Sequence, residues 1–325
     1  MFLGAELCGI PASFENIQEP SSKINNISLS NMYLDELYGT THLPDDFNIR
    51  NIEKWSYGTF LHATYEDGLS AGNITYSADV ISAIKIKKRI QGEQTWKTIY
   101  VQKGTGEEKN GAPSFTVDDF AINFIDYLEP SNRVIEYQYV PVFNVGGEEQ
   151  DMDSEGTEVL SQFDSWFLVG QYEDDGNNNF IYDIHPMVTD TTVTKQLNKQ
   201  FNTVQTLYGK YPFVVNNGNN LYYSGSATAT FFELCSNDGM VDAENGWKYR
   251  NTIDQFLSNG MAKIMKSFEG DIYLITVNDN ISHSQNGHYQ NVNTSFNWVE
   301  IGDPFSVGDL YDNGFINTEI DRGLD

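Results

Sequence analysis

Along most of the chain, hydrophobic and polar positions alternate in short runs, and the clearest run spans residues 292–301. Val292, Thr294, Phe296, Trp298 and Glu300 fall on one side there, with Asn291, Asn293, Ser295 and Asn297 on the other, the two-residue period of a half-buried strand. Residues 261–268 and 271–277 read as two further strands turning at Glu269-Gly270. Residues 203–215 carry aromatic and β-branched side chains up to Asn216-Asn217-Gly218-Asn219-Asn220, and Leu221-Tyr222-Tyr223 resumes the run. That pattern predicts two strands joined by a polar, glycine-containing loop. One segment follows a helical period instead. Tyr249, Ile253, Phe256 and Leu257 lie at i, i+4, i+7 and i+8, a single apolar stripe on a short helix that Asn259-Gly260 stops.

Toward the amino terminus the pattern weakens. Residues 1–52 mix Pro11, Pro20, Pro44 and Asn25-Asn26 with scattered aromatics and hold no sustained period, which predicts an extended arm ordered by contact with a neighbour. The piece Leu34-Asp35-Glu36-Leu37-Tyr38 suits one helical turn. Residues 53–147 read as a sandwich of short strands at 58–65, 72–76, 82–89, 95–101, 114–117 and 134–144, with turn signals at roughly ten-residue spacing. Six acidic side chains crowd residues 148–158, so 148–160 is the expected linker, extended by its own repulsion. Residues 161–302 form the second unit. It opens on a strand at 163–169, a polar loop at 173–179 and a strand at 180–183, and residues 193–204 fit a crossing strand or a connection. Residues 303–325 are read as a tail.

Composition sharpens this. A chain of 325 residues accommodates two folded units, and its 14% aromatic content favours strands and broad contact surfaces. Forty-six acidic against nineteen basic residues give a net charge of −27, which opposes direct binding to nucleic-acid phosphates. The one basic cluster, Lys85, Lys87, Lys88 and Arg89, reads as a solvated strand face. Cys8 and Cys235 lack any disulfide or zinc spacing. The first residues do not resemble a secretory signal and no run reaches membrane-spanning length, so the expected product is soluble, made in a cytoplasm and not inserted in a membrane.

Candidate chemistry is sparse. The loop around Asp174-Asp175-Gly176 is rich in oxygen ligands, and Asp174, Asp175 and Asp183 are the calcium candidates; against this, placing Gly176 at the sixth position of an EF-hand puts Gln171 where a carboxylate is needed. A polar turn is the simpler reading. His283 and His288 are five positions apart, and neither they nor His42, His62 and His185 form an H-E-x-x-H motif. Ser224-Gly225-Ser226 is not a nucleophile elbow, and Gly104-Thr105-Gly106 is not a phosphate loop. Carboxylates are too numerous for any pair to be nominated as a glycosidase site from sequence. No catalytic, metal or cofactor-binding residue is assigned, and no cofactor is expected.

Two resemblances add to this. Ile84-Lys-Ile-Lys-Lys-Arg-Ile-Gln-Gly-Glu-Gln-Thr-Trp and Tyr137-Gln-Tyr-Val-Pro-Val-Phe-Asn-Val-Gly-Gly resemble the central and penultimate strands of fibronectin type III domains, with Pro141 standing where that family carries a β-branched residue. On that resemblance Trp96, Tyr137 and Tyr139 belong to the core. Leu207-Tyr-Gly-Lys-Tyr-Pro-Phe-Val-Val, Tyr222-Tyr-Ser-Gly-Ser, Phe256-Leu-Ser-Asn-Gly-Met-Ala-Lys-Ile-Met-Lys and Ser295-Phe-Asn-Trp-Val-Glu-Ile-Gly-Asp resemble segments of tail and baseplate structural proteins of phages. The expected fold class is thus mainly β: a fibronectin type III-like β-sandwich plus a C-terminal β-rich module with one short helix, preceded by an extended N-terminal arm. The resemblance implies a non-enzymatic virion tail component, assembled in the host cytoplasm as a homo-oligomer with other tail or baseplate proteins. The alternative is a carbohydrate- or receptor-binding tail protein, whose partner is a host surface glycan held by the loops at 216–220 and 278–291. A tail-tip glycosidase or peptidoglycan hydrolase is the third reading.

Overall fold

The computed structural model describes residues 22–29, 32–42, 58–64, 81–109, 112–116, 122–145, 148–151, 156–163, 165–174, 180–187, 189–231, 246–285 and 292–316. The fold is mainly β and its sheets are antiparallel. Its first unit contains β1 (Ser22–Leu29), β2 (Met32–His42), β3 (Gly58–Thr64), β4 (Ile81–Ile90), β5 (Lys97–Gln102), β6 (Glu108–Lys109), β7 (Ala112–Pro113), β8 (Ile122–Asp126), β9 (Arg133–Val145), β10 (Glu148–Asp151) and β11 (Gly156–Ser161). One sheet runs β1-β2-β3-β8; a second runs β10-β9-β4-β5 with β11 also on β9. Their faces meet in a sandwich-like arrangement, with the Phe124 ring of β8 4.8 Å from the Tyr100 ring of β5.

Asp126, buried at the end of β8, ties the two sheets together. Its carboxylate accepts from Lys88 Nζ of β4 at 2.6 Å and from Tyr137 Oη of β9 at 2.9 Å. Tyr137 and Tyr139 are buried as expected, whereas Trp96 is half-buried under the Arg89 guanidinium, 4.3 Å from the ring centroid. Pro141 lies opposite Ile84 of β4, and on the other edge of β9 it falls in the gap between the stretches that pair with β11 and with β10, an edge position where proline is tolerated.

Several expectations change here. The 1–52 arm supplies β1 and β2, so residues 34–38 lie in a strand, not a helical turn. The 148–160 linker instead contributes β10 and most of β11, both paired with β9. Its charge is tolerated because Asp151 meets Lys85 Nζ at 3.0 Å and also Lys87. Partial burial raises the Asp151 pKa, but the two ammonium groups outweigh it and hold the carboxyl below its ordinary value. The basic cluster is likewise no solvated face: Lys85 is buried, Lys88 meets Asp126, and Arg89 pairs with Glu136. Residues 114–116 of the strand expected at 114–117 follow β7 outside any strand, and residue 117 and the strand expected at 72–76 lie outside the described residues.

The second unit contains β12 (Trp166–Asp174), β13 (Phe180–Met187), β14 (Thr189–Val193), β15 (Gln196–Val204), β16 (Phe213–Thr230), α1 (Gly246–Ser258), β17 (Lys263–Lys266), β18 (Ile272–Val277), β19 (Ser282–Gln285), β20 (Val292–Gly302) and α2 (Val307–Asp312). Nine strands make one sheet in the order β13-β12-β17-β18-β20-β16-β14, with β15 on β16 and β19 on β20. Its central strands are apolar at consecutive positions because both faces are covered. Leu168, Met265 and Ile275 join Ile253, Phe256 and Leu257 of α1 and Trp298 on one face. Their neighbours Val169, Ile264 and Leu274 meet Leu310 of α2, Phe315 and Ile316 on the other.

The apolar stripe of α1 is buried as its spacing predicts, and Gly260 takes the positive φ of +73° that ends it. Residues 303–316, read as tail, instead hold α2, whose N-cap Ser306 Oγ accepts from the Asp309 amide at 3.2 Å. The two units share a packed junction. Leu128, from the β8–β9 connection, belongs to the cluster around Leu310, and Lys266 Nζ donates to the Tyr127 carbonyl at 2.8 Å.

Candidate assembly surface

β16 is eighteen residues long and changes partners part-way. From Ser224 to Thr230 it lies against β20, while from Phe213 to Tyr223 its ladder partner is β15 alone. The two strands therefore leave the sheet as a ribbon, closed where Gly209 N donates to the Thr206 carbonyl at 3.3 Å. The Asn216–Asn220 cluster is not the hairpin turn predicted. It bulges within β16, where pairing skips from Lys199↔Leu221 to Phe201↔Asn216, and Gly218 supplies a φ of +102°.

The root of the ribbon is firmly held. Thr194 N donates to Ser226 O at 2.8 Å and Thr194 Oγ1 accepts from Ser226 N at 3.0 Å. Lys195 Nζ donates to Asp271 Oδ2 at 2.6 Å and to Tyr273 Oη at 3.2 Å, and these bonds raise the lysine pKa above its ordinary value. On the other strand, Tyr223 N donates to Glu300 Oε2 at 2.7 Å.

Beyond the root, the large apolar side chains of the ribbon are turned to solvent. Register places Val204, Phe213 and Val215 on one face of the ribbon and Phe201 and Val214 on the other, and all five are exposed. At the tip Leu207 is 96% and Tyr208 100% exposed. A two-stranded ribbon is marginal in water without a packing partner. This one has no face turned to its own core.

Its charge is equally distinctive. Residues 191–232 contain three lysines, Lys195, Lys199 and Lys210, and no Asp or Glu, leaving sixteen basic against forty-six acidic residues elsewhere. The sequence reading located the aromatic run but missed this 42-residue acid-free window, which was a legible signal.

The other candidates disperse. Asp174 lies in β12 opposite Phe180, and Asp183 is three residues farther along β13, about 10 Å at the rise of a strand. Asp183 Oδ1 is 3.0 Å from His185 Nε2. Asp175 lies outside the described residues, as do Cys8, Cys235 and His288, and no cluster of three potential metal ligands occurs among the described residues. His283 sits on β19, inside the region read as a loop, with Nε2 3.1 Å from Asp254 Oδ2. No helix among the described residues is long and apolar enough to cross a membrane.

One cleft lies at the junction of the two units, roughly 420 Å³ counting open solvent, lined by Ile99, Leu128, Pro130, Ile135, Phe305 and Leu310. Glu129 also borders it, fully buried, with neither carboxyl oxygen hydrogen-bonded. Lys266 Nζ is 3.8 Å away. Burial pushes the Glu129 pKa up to about 8, against the pull of Lys266, so the acid is held neutral at neutral pH. The nearby Asp126 is engaged by Lys88, Tyr137 and the Leu128 amide.

No protein-family model matches the chain, and no curated protein does so either.

Proposed function

We propose that this chain is a non-enzymatic structural component of a bacteriophage virion tail or baseplate, acting through ring-forming or arm-mediated protein contacts. The observation that carries the assembly half of this reading is the β15–β16 ribbon, anchored at its root and apolar on both faces. The tail half rests on the resemblance of residues 207–215, 222–226, 256–266 and 295–303 to phage tail and baseplate proteins. Co-expression with the tail proteins encoded beside it tests the reading: co-purification as a ring or a larger particle is expected. Recovery as a lone monomer with no affinity for any of them would overturn it.

A carbohydrate- or receptor-binding tail protein is the second reading. It is favoured by the exposed Tyr208 and Tyr211 near the tip of the ribbon, aromatic faces open to a sugar ring. Glycan-array binding that is abolished by Tyr208→Ala and Tyr211→Ala would select it.

A further inference from the structure

We infer that the β15–β16 ribbon docks on the acid-rich surface of a second copy of this same chain, and this inference rests on the assembly reading above. Three observations commit it to that occupant.

Area comes first. Eleven large hydrophobic residues of the ribbon, Leu197 through Tyr222, are 40% to 100% exposed. At about 150–250 Å² for a fully exposed aromatic, they present on the order of 1,000 Å² of side-chain surface. Summed over both faces and the tip, that is of the size of the roughly 800 Å² each partner contributes to a standard interface, so the neighbour's surface takes in both faces of the ribbon.

Charge comes second. The 191–232 window is positive and the rest of the chain strongly negative, so an identical molecule carries the complement of the ribbon. Lys195 is spent at the root on Asp271, whereas Lys199 and Lys210 lie outward on exposed positions of the ribbon. Two outward lysines are too few for a nucleic-acid track, where affinity scales with the number of phosphates neutralised.

Geometry comes third. The ribbon is one element and the acidic surface another, so each copy offers both halves of the contact, which closes as a reciprocal two-fold pair or continues head-to-tail into a ring or a filament. β15 alone extends about 30 Å at strand rise, enough to reach across a neighbour.

The test uses the purified full-length chain alone, without other tail proteins. Sedimentation of wild type is compared with Leu207→Ser/Tyr208→Ser and with Lys199→Glu/Lys210→Glu, at ionic strengths of about 0.05 M and about 0.5 M to vary screening. All four substitutions are at exposed positions, and circular dichroism with thermal melting confirms that the fold is retained. Wild type is expected to self-associate. The tip variant is expected to weaken this by about tenfold or more at both salts, and the charge variant mainly at low salt. Carbodiimide cross-linking of an equal mixture of unlabelled and isotope-labelled chain is expected to join Lys199 or Lys210 to a carboxylate of the other isotope.

A wild type that stays monomeric up to about 100 μM, variants that associate as well as wild type, or cross-links confined to one isotope would each overturn the inference. A ribbon that inserts into phosphatidylglycerol vesicles while the chain stays monomeric would do the same. If the lone chain is monomeric but co-purifies with other tail proteins through the ribbon, the inference falls and the tail reading stands. If it binds neither itself nor them, both fall.

Discussion

Thr194 and Gly225 pass so closely that the Thr194 carbonyl oxygen occupies the space a Cβ at position 225 would need. The clash is with backbone, which no rotamer change relieves. Gly225→Ala is therefore expected to push the β14–β15 strands off β16 and to cost about 3 kcal/mol, the upper range for overpacking. Because the crossing lies at the root of the ribbon, amide exchange in β15 should rise more than in β17 and β18. Equal exchange and an unchanged denaturation midpoint would remove the claim that this crossing fixes the ribbon.

Glu129 makes stability depend on pH in a defined direction. Its folded pKa, about 8, stands above an ordinary value of 4.5, so between those limits the folded chain holds a proton that the unfolded chain releases. Stability from this group is fully present below the ordinary value and lost as pH rises through about 8. Lys266, pushed down by burial and pulled back up by Glu129, works in the opposite sense below its own unfolded value, so comparison with Glu129→Gln reports the glutamate together with its effect on Lys266. Wild type should lose on the order of 2 to 4 kcal/mol relative to Glu129→Gln between about pH 5 and about pH 8. Parallel urea curves for the two proteins would show that Glu129 does not titrate in this way.

Much of the fold was legible where periodicity and punctuation agree. The alternation at 292–301 became β20, the stripe from Tyr249 to Leu257 became α1, and Gly260 and Gly270 both took positive φ where a stop and a turn were read. Most of the failures share a cause, which is information held by distant partners. Nothing local to Asp151 reveals that Lys85 and Lys87 lie across the sheet, so an acidic strand looked like a linker. The Asn216–Asn220 cluster has turn chemistry, and only pairing with β15 shows it to be a bulge. The ribbon was visible as aromatic and β-branched, but a two-residue period cannot say whether a strand is covered. Ser306 followed by Asp309 was a local helix-start signal, but a helix of six residues is too short to show an apolar period beside it.

Asp151→Asn tests the idea that charge pairing brings the acidic segment into the sheet. Asp151 is partly exposed but Lys85 is buried, so loss of that counter-charge, discounted for solvent screening at Asp151, is expected to cost about 1 to 2 kcal/mol globally. The local effect should be larger. Residues 148–151 have a four-residue ladder to β9, and amide protection there should drop while that of β11, paired farther along the same strand, persists. Unchanged protection in β10 would place its stability in the backbone ladder and not in the Lys85–Asp151–Lys87 contact.

Asp126 is the point at which the sandwich is most exposed to a single substitution. Its buried carboxylate takes Lys88 Nζ at 2.6 Å, Tyr137 Oη at 2.9 Å and the Leu128 amide at 2.9 Å, so it joins β4, β9 and the loop that enters the second unit. Asp126→Asn keeps the shape but leaves the largely buried Lys88 ammonium without its counter-charge, which is expected to cost about 3 kcal/mol. Tyr137→Phe removes one hydrogen bond and is expected to cost about 1 to 2 kcal/mol. Because both changes act on one carboxylate, the double variant should cost less than the sum of the singles, whereas additive costs would mean that the two contacts act independently. The same carboxylate orders Leu128, which packs with Leu310 and Phe315, so its loss should loosen α2 as well. Protection of α2 that survives Asp126→Asn would separate the junction from the sandwich.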